Sequence, residues 1–106
     1  MGKSKTNLFT DSQNRLAALA KAIGHPARVA ILSYLLQKQS CVCGDLVEVL
    51  PLSQSTVSQH LKELKAVGII QGEIEGTSTC YCIDPEVWAE AKVLMSDLFA
   101  QIKPCC

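Results

Sequence analysis

Residues 53–68 read SQSTVSQHLKELKAVG, and this stretch predicts an amphipathic helix around which the rest of the fold is organised. Its apolar side chains recur at steps of four, three and three, at Val57, Leu61, Leu64 and Val67. This spacing gives one narrow apolar stripe that faces a core. Ser53 is a residue type that caps helix starts, and Gly68 supplies the left-handed conformation that ends many helices.

The opposite face of this helix carries short hydroxyls, an amide and one cation. At about 100° per residue, the side chains that gather there are Ser55, Ser58, Gln59 and Lys62. Such groups suit base edges and phosphates, whereas solvated helix faces more often carry Glu and Lys. Taken alone, the helix leaves two interpretations equally open: a surface that reads DNA and a surface that only faces water.

The residues before Ser53 predict a partner for this helix. A short helix is expected over residues 45–50, and Pro51 forces it to stop. Two short helices joined by so tight a turn are typical of a helix-turn-helix, here over residues 45–67.

Beyond Gly68 the pattern changes to that of strands. Residues 69–74 and 78–83 read as two strands around a turn at Gly76. We expect this hairpin, residues 69–83, to form the wing of a winged helix-turn-helix.

Two further helices are expected before the helix-turn-helix. Thr10-x-x-Gln13 fits a capping box at the start of the first, and Gly24 closes it. Pro26 stands where the first residue of the second helix would be.

The last predicted helix, residues 85–102, is unusually apolar. Asp84 and Pro85 provide a cap and a first-turn proline. A wide apolar stripe follows at Trp88, Ala91, Met95, Leu98, Phe99 and Ile102. On so small a domain, we expect this stripe to be buried in a homodimer, and packing on its own core is the alternative.

These patterns predict a mainly α fold with a β-hairpin wing. The 106 residues suit one winged helix-turn-helix domain over residues 1–106, with residues 1–9 as a disordered arm. No apolar run approaches the ~20 residues that cross a bilayer, and no secretory signal is evident. We expect a cytoplasmic protein without a membrane partner.

The net charge is zero, but the charges are unevenly distributed. Residues 1–38 carry six basic side chains and one acid, whereas residues 73–106 carry two lysines and six acids. Such an asymmetry can give a neutral molecule one positive surface, and unpatterned surface charge is the alternative.

The six cysteines form three close pairs, Cys41/Cys43, Cys80/Cys82 and Cys105/Cys106. A disulfide framework belongs to secreted chains, whereas paired thiols in a reducing cytosol indicate soft-metal ligation or redox sensing. Free structural cysteines are the remaining alternative.

The Cys41-Val-Cys43 pair is the strongest metal-site candidate. In a regular helix, side chains two apart point about 200° from each other and cannot share one ion. Both sulfurs can bind only if this segment is non-helical or unwinds. In that case, ion capture would distort the element that positions the DNA-reading helix and would promote DNA release.

Cys80 and Cys82 alternate on one face of a predicted strand, which turns Tyr81 and Ile83 toward the core. This pair is a possible secondary thiol site. A solvent-facing strand edge is the plainer interpretation.

The element order over residues 15–100 resembles the ArsR/SmtB family of winged-helix, metal-responsive repressors. The motifs that carry the resemblance are His25-Pro26-x-Arg28-x-x-Ile31-Leu32, Leu52–Leu61 and Cys41-Val-Cys43. The resemblance implies a homodimer that reads an inverted repeat in double-stranded operator DNA. It implies that ligand binding releases the DNA and derepresses a resistance operon.

On matched positions, the resemblance assigns DNA contact to Gln54, Ser55, Ser58, Gln59 and Lys62. His60 lies at the edge of the apolar stripe, which favours a packed or phosphate-touching histidine over a metal ligand. Glu73 and Glu75 stand where a phosphate-binding wing would carry Arg or Lys. We therefore expect the wing to contribute little to DNA binding.

The family's Cys-Val-Cys form implies an arsenic-responsive repressor with arsenite, or antimonite, as its inducer. The arsenic motif continues directly into Asp-Leu-Cys, but here Gly44 intervenes and Val47 replaces the third cysteine. The third ligand is then a water, a small thiol, or Cys105 or Cys106, which can also form a separate site. Cadmium is an alternative ion.

Two other functions compete with the arsenite-responsive repressor. One is a repressor of the same fold that senses oxidants or persulfides by disulfide switching, with no ion. The other is a thiol enzyme or metal carrier. The chain has no CxxC motif, no Gly-rich phosphate loop and no general base placed beside a cysteine, so we expect no enzyme.

Overall fold

The structure is a computed structural model that describes residues 8–43, 46–75 and 78–104, with only the backbone described at residues 47, 73–75 and 78. In chain order, the elements are α1 (Asp11–Ile23), α2 (Pro26–Lys38), β1 (Val42–Cys43), α3 (Leu46–Val49), α4 (Gln54–Ala66), β2 (Ile70–Glu75), β3 (Ser78–Ile83) and α5 (Pro85–Phe99). The predicted mainly α fold with a winged helix-turn-helix is confirmed. Most of the predicted arm, residues 1–7, lies outside the described residues.

The first two helices begin and end as their sequences predict. Thr10 and Gln13 form a capping box, in which each side chain accepts a hydrogen bond from the other residue's backbone N–H, at 3.1 and 3.0 Å. Gly24 caps the end of α1. His25 precedes Pro26 and accepts from the backbone N–H of Ala27 at 3.0 Å, which caps the start of α2.

The core lies between the helices and one face of the sheet. Its fully buried members come from α1, α2, α4 and the start of the wing: Leu19, Ile31, Leu35, Val57, Leu64, Ile69 and Ile70. Three of the four apolar positions predicted on α4 are buried, and Val67 is half-buried. Burial of this stripe fixes which face of α4 remains in solvent.

The wing is part of a three-stranded antiparallel sheet in the order β1-β3-β2. Strands β2 and β3 match the predicted hairpin to within one residue, and its turn at residues 76–77 lies outside the described residues. Gly68 has a φ of 87° between α4 and β2, as predicted for a left-handed residue. Strand β1 was not predicted, because two residues are too short to establish an alternation.

The last helix begins as predicted but ends earlier. Asp84 caps it by accepting from the N–H groups of Glu86 and Val87, at 2.9 and 3.2 Å. The helix ends at Phe99, not at residue 102. Beyond it, the Gln101 N–H donates to the backbone oxygen of Leu98 at 3.3 Å, and this tighter turn ends the α-helical hydrogen bonding. In the described part of the chain, no helix is long and apolar enough to span a bilayer.

An ion pair joins the first and last helices. Arg15 donates from Nε and Nη2 to the two carboxylate oxygens of Glu90, at 2.8 and 2.9 Å. This hydrogen bonding lowers the pKa of Glu90 below its ordinary value. The pair links α5 to α1 through partly exposed side chains.

Candidate DNA-reading helix and cysteine cluster

The five residues predicted to contact DNA all lie on the solvent side of α4. The exposed side chains are Gln54, Ser55, Ser58, Gln59 and Lys62. Because Val57, Leu61 and Leu64 are buried on the opposite side, the helix cannot turn this polar face inward without exposing its apolar stripe.

Local hydrogen bonds order the polar face of α4. The Ser53 hydroxyl oxygen caps the helix by accepting from the Thr56 N–H at 3.3 Å, and it lies 3.2 Å from the Ser55 hydroxyl oxygen. One turn further on, Gln59 donates from Nε2 to the Glu63 carboxylate at 3.1 Å. The contacts of Ser55 and Gln59 are exposed to solvent. Both side chains can therefore exchange them for contacts to another molecule.

His60 packs on the inner side of α4, as its position at the edge of the stripe predicted. Its side chain is 8% exposed, and its Nδ1 accepts a hydrogen bond from Nε of Arg28 at 3.0 Å. The His25 ring lies 4.5 Å away, centroid to centroid. Burial lowers the pKa of His60, and the nearby His25 and Arg28 charges lower it further.

Arg28 is a functional candidate for which sequence reasoning gave no role. Besides its bond to His60, it donates from Nη1 to the backbone oxygen of Ala22 at 3.0 Å. Arg28 therefore links the end of α1 to the helix whose outer face is the DNA-reading candidate. The motif that contains Arg28 is visible in the sequence, but its partner on α4 is not.

Four cysteines lie together on one face of the sheet. The Cα partners are Val42 with Tyr81 and Cys43 with Cys80. Disulfides join Cys43 to Cys80 and Cys41 to Cys82, and the Cα–Cα distances are 4.0 and 4.3 Å. We call these four residues the cysteine ladder.

The ladder corrects several expectations about the cysteines. Of the alternatives left open for the cysteines, the structure has disulfides, because β1 pairs with β3 and brings the two Cys-x-Cys segments into register. Cys80 is only 1% exposed, so the expectation of a solvent-facing pair on β3 is wrong for this residue: β3 is the central strand. Tyr81 and Ile83 pack against the core, as predicted.

The extended backbone also changes the argument about ion capture. Cys41 comes directly before β1 and Cys43 is its second residue, and residues two apart in an extended segment share a face. The first of the two predicted conditions, a non-helical segment, is thus met. No unwinding of a helix is needed for both sulfurs to face the same side, so the mechanism by helix distortion is not required.

The remaining candidate ligands are the two cysteines at the chain end. Cys105 and Cys106 are outside the described residues, as is Gly44. Among residues 8–43, 46–75 and 78–104, no group of three or more His, Cys, Asp or Glu side chains is arranged to hold a metal ion in this disulfide-bonded form. Glu73 and Glu75 belong to β2, and only the backbone of these two residues is described.

A short helix, a tight turn, a second helix with an exposed polar face and an antiparallel wing together define the winged-helix class of regulators. A family model described as "Bacterial regulatory protein, arsR family" matches residues 25–71. The arsenical resistance operon repressor of Bacillus subtilis is 33% identical over 87 residues, which are 81% of this chain and 78% of that relative. The chain belongs to the ArsR/SmtB family of transcriptional regulators, which is not a family of enzymes.

Two further comparisons agree with this assignment. The HTH-type transcriptional repressor SmtB of Mycobacterium tuberculosis is 44% identical over 63 residues, which are 59% of this chain but only 46% of that relative. The chain thus spans about half the length of this relative. The structure of HlyU from Vibrio cholerae matches with a TM-score of 0.68 at 29% identity, and the match covers 88% of this chain and all of that one.

Proposed function

We propose that this protein is a homodimeric transcriptional repressor that binds an inverted repeat in operator DNA and leaves it when arsenite or antimonite binds its cysteine thiolates. One observation carries the proposal. Cys41 and Cys43 lie directly before the helix-turn-helix, on the same sheet face as the two cysteines of wing strand β3. A ligand on these sulfurs therefore acts on the element that leads into the DNA-reading helix.

The DNA-binding part of the proposal is supported by the chemistry of the outer face of α4. Its amides can pair with base edges in the major groove, and Lys62 and the serines can contact phosphates. The names of the relatives are consistent with this role, since two of them are called repressors.

The homodimer is supported by apolar surface on the last helix. Leu98 is 51%, Phe99 70% and Ile102 85% exposed, although they continue the stripe that begins at the half-buried Trp88. A groove of about 440 Å³ runs along the same side of α5, between Trp88, Met95, Phe99 and Ile23 of α1. A second copy would remove this surface from water and would place two α4 helices on successive half-sites.

The donor set fits a soft ion once the disulfides are reduced. Thiolate sulfur is the ligand type that thiophilic ions prefer, and the ladder carries four such sulfurs. Cadmium shares this preference and remains an alternative inducer. Cys105 and Cys106, at the chain end, are the alternative source of a third thiolate.

A second candidate function is a thiol-based redox or persulfide repressor of the same fold. The observation that favours it is the pair of disulfides, because each brings together two strands that flank the DNA-reading helix in sequence. In this version, an oxidant such as hydrogen peroxide takes two hydrogens from each thiol pair and is itself reduced to water.

One experiment separates the two candidates. Reduced protein first selects a binding sequence from a pool of random DNA duplexes, and fluorescence anisotropy then follows its release from the selected duplex. Arsenite, antimonite, cadmium, zinc and hydrogen peroxide are titrated separately. We expect release by arsenite that is lost in Cys41→Ser and Cys43→Ser. Release by peroxide alone supports the second candidate, and failure to select any duplex contradicts both.

A further inference from the structure

We propose that β3 completes the ion site that the Cys41-Val-Cys43 motif begins, and that the disulfides close this same site. The cysteine ladder is then one site with two mutually exclusive states: the reduced state binds an ion, and the oxidised state does not. The regulatory consequence rests on the proposed function. The ligand assignment can be tested without it.

The register of the strands carries the first step. Cys43 lies directly opposite Cys80, and the Cys41–Cys82 bond continues the same antiparallel arrangement. Because side chains alternate along a strand, all four cysteines share one face, while Val42 and Tyr81 pack on the core side. The sulfurs missing from the β1 motif are therefore supplied by β3 of the same chain.

Distances permit one ion to contact both strands. Thiolates that share a tetrahedral ion at about 2.3 Å lie roughly 3.8 Å from one another. Across the strands, the paired Cα atoms are 4.0 and 4.3 Å apart. Along a strand, residues two apart are separated by about 6.6–6.8 Å at Cα, a gap that two side chains leaning toward each other can close.

Exposure shows how ligands reach the site. Strand β1 is at the edge of the sheet, and Cys41 and Cys43 are exposed, whereas Cys80 is buried in the central strand. A groove of about 550 Å³, lined partly by Leu36 and Trp88, also reaches Cys41 and Cys82. A small dithiol and an ion can approach from this open side.

The chemistry makes the two states exclusive. A dithiol reductant gives two electrons and two protons to each disulfide and itself becomes a disulfide. Arsenite, As(OH)₃, then exchanges its three hydroxyls for the sulfurs of three thiols, and each hydroxyl leaves with a thiol proton as water, whereas cadmium displaces protons from up to four thiols. Because the thiolate is the metal ligand and a disulfide sulfur carries no such charge, oxidation removes the ligands that the ion needs. The state of the ladder thus decides whether the protein can respond.

The test measures ion binding directly in full-length protein. Reduced wild type and the variants Cys80→Ser, Cys82→Ser and Cys105→Ser/Cys106→Ser are titrated with cadmium, and the sulfur-to-metal charge-transfer absorption is followed in the ultraviolet. Circular dichroism confirms that each variant is folded. Loss of a group that only orients a metal ligand costs about 10–100-fold in metal affinity, so loss of a ligand itself from β3 should cost about 100-fold or more. The chain-end double variant should bind like wild type.

Arsenite provides the second readout. X-ray absorption of bound arsenic should show three sulfur neighbours in wild type and a sulfur replaced by oxygen in Cys80→Ser/Cys82→Ser. Wild-type affinity in that double variant, with loss of binding in the chain-end variant, would overturn the ligand assignment. Ion binding that needs β3 but does not release DNA would leave the assignment standing and refute the proposed function.

The oxidised state is tested with the Cys105→Ser/Cys106→Ser variant, whose four remaining cysteines are those of the ladder. It is oxidised by diamide, and mass spectrometry verifies the loss of four hydrogens. We expect no charge-transfer band with cadmium and no bound arsenic, and full recovery after treatment with dithiothreitol. If oxidised protein binds either ion as tightly as reduced protein, the exclusive states do not exist.

Discussion

Arg28 and His60 are joined by a 3.0 Å hydrogen bond in which Nε of the guanidinium donates to Nδ1 of the imidazole. The bond connects α2 to the inner side of α4, the helix whose outer side is the DNA-reading candidate. Because Nδ1 accepts, His60 is neutral here and carries its proton on Nε2. Protonation of Nδ1 would remove the acceptor and place a second cation beside Arg28.

The Arg28–His60 pair predicts that acid destabilises the fold. The pKa of His60 is lowered by burial, then by His25 and Arg28, so the folded state favours the neutral ring. The stability contribution is complete above the ordinary value of 6.5 and is lost as the pH falls from there through the lower folded pKa. When urea unfolding is measured from about pH 7.5 to about pH 5, the free energy of unfolding should decrease less in His60→Gln than in wild type.

A matched control is His25→Asn, which removes the neighbouring exposed imidazole but keeps a side chain that can cap α2. It should retain most of the pH dependence. If His60→Gln loses stability with acid as steeply as wild type does, His60 is not the responsible group.

Gln59 should contribute sequence readout. Its amide must leave Glu63 and can then pair with the edge of an adenine. We expect Gln59→Ala to weaken binding to the selected duplex by about 1–3 kcal/mol and to relax preference at one base pair. Gln101→Ala, beyond the end of α5, is the control, and competition with single-base variants of the duplex gives the measurement.

Thr77→Ala, at the turn that the sequence predicts for the wing, should weaken binding far less than Gln59→Ala. Equal losses would mean that the wing shares the readout with α4, contrary to the division of labour expected from its acidic sequence.

Lys62 should contribute charge without sequence preference. If its ammonium neutralises a phosphate, Lys62→Ala lowers affinity for all duplexes and reduces the dependence of log affinity on log salt by about one per subunit. Lys103→Ala removes an exposed lysine that lies beyond the end of α5. It should leave the dependence of log affinity on log salt unchanged. An unchanged slope in Lys62→Ala would show that this lysine does not contact phosphate.

The exposed stripe on α5 predicts the oligomeric state. Phe99→Glu places a charge within the surface that we expect a second copy to cover, so the dimer should dissociate to monomers in sedimentation velocity. Val93 is the matched control: it is 56% exposed on the same helix but lies about 120° around the axis from Phe99. Val93→Glu should remain dimeric, and a dimeric Phe99→Glu would contradict the proposed interface.

The sequence by itself determined the helices and the hairpin, because their signals are local. Caps such as Thr10/Gln13 and Asp84 act over three residues, and the stripe of α4 repeats over single turns. The exposed face of α4 follows from that stripe alone, since burial of one side leaves the other in solvent. For this reason the predicted DNA-contact positions are all exposed.

Only the tertiary structure decided how the cysteines and Arg28 are paired. The partners are 41 residues apart in Cys41–Cys82, 37 in Cys43–Cys80 and 32 in Arg28–His60. Strand β1 is defined by its pairing with β3, and its two residues carry no period of their own. Contacts between distant segments depend on the packing of the whole core, which no local pattern encodes.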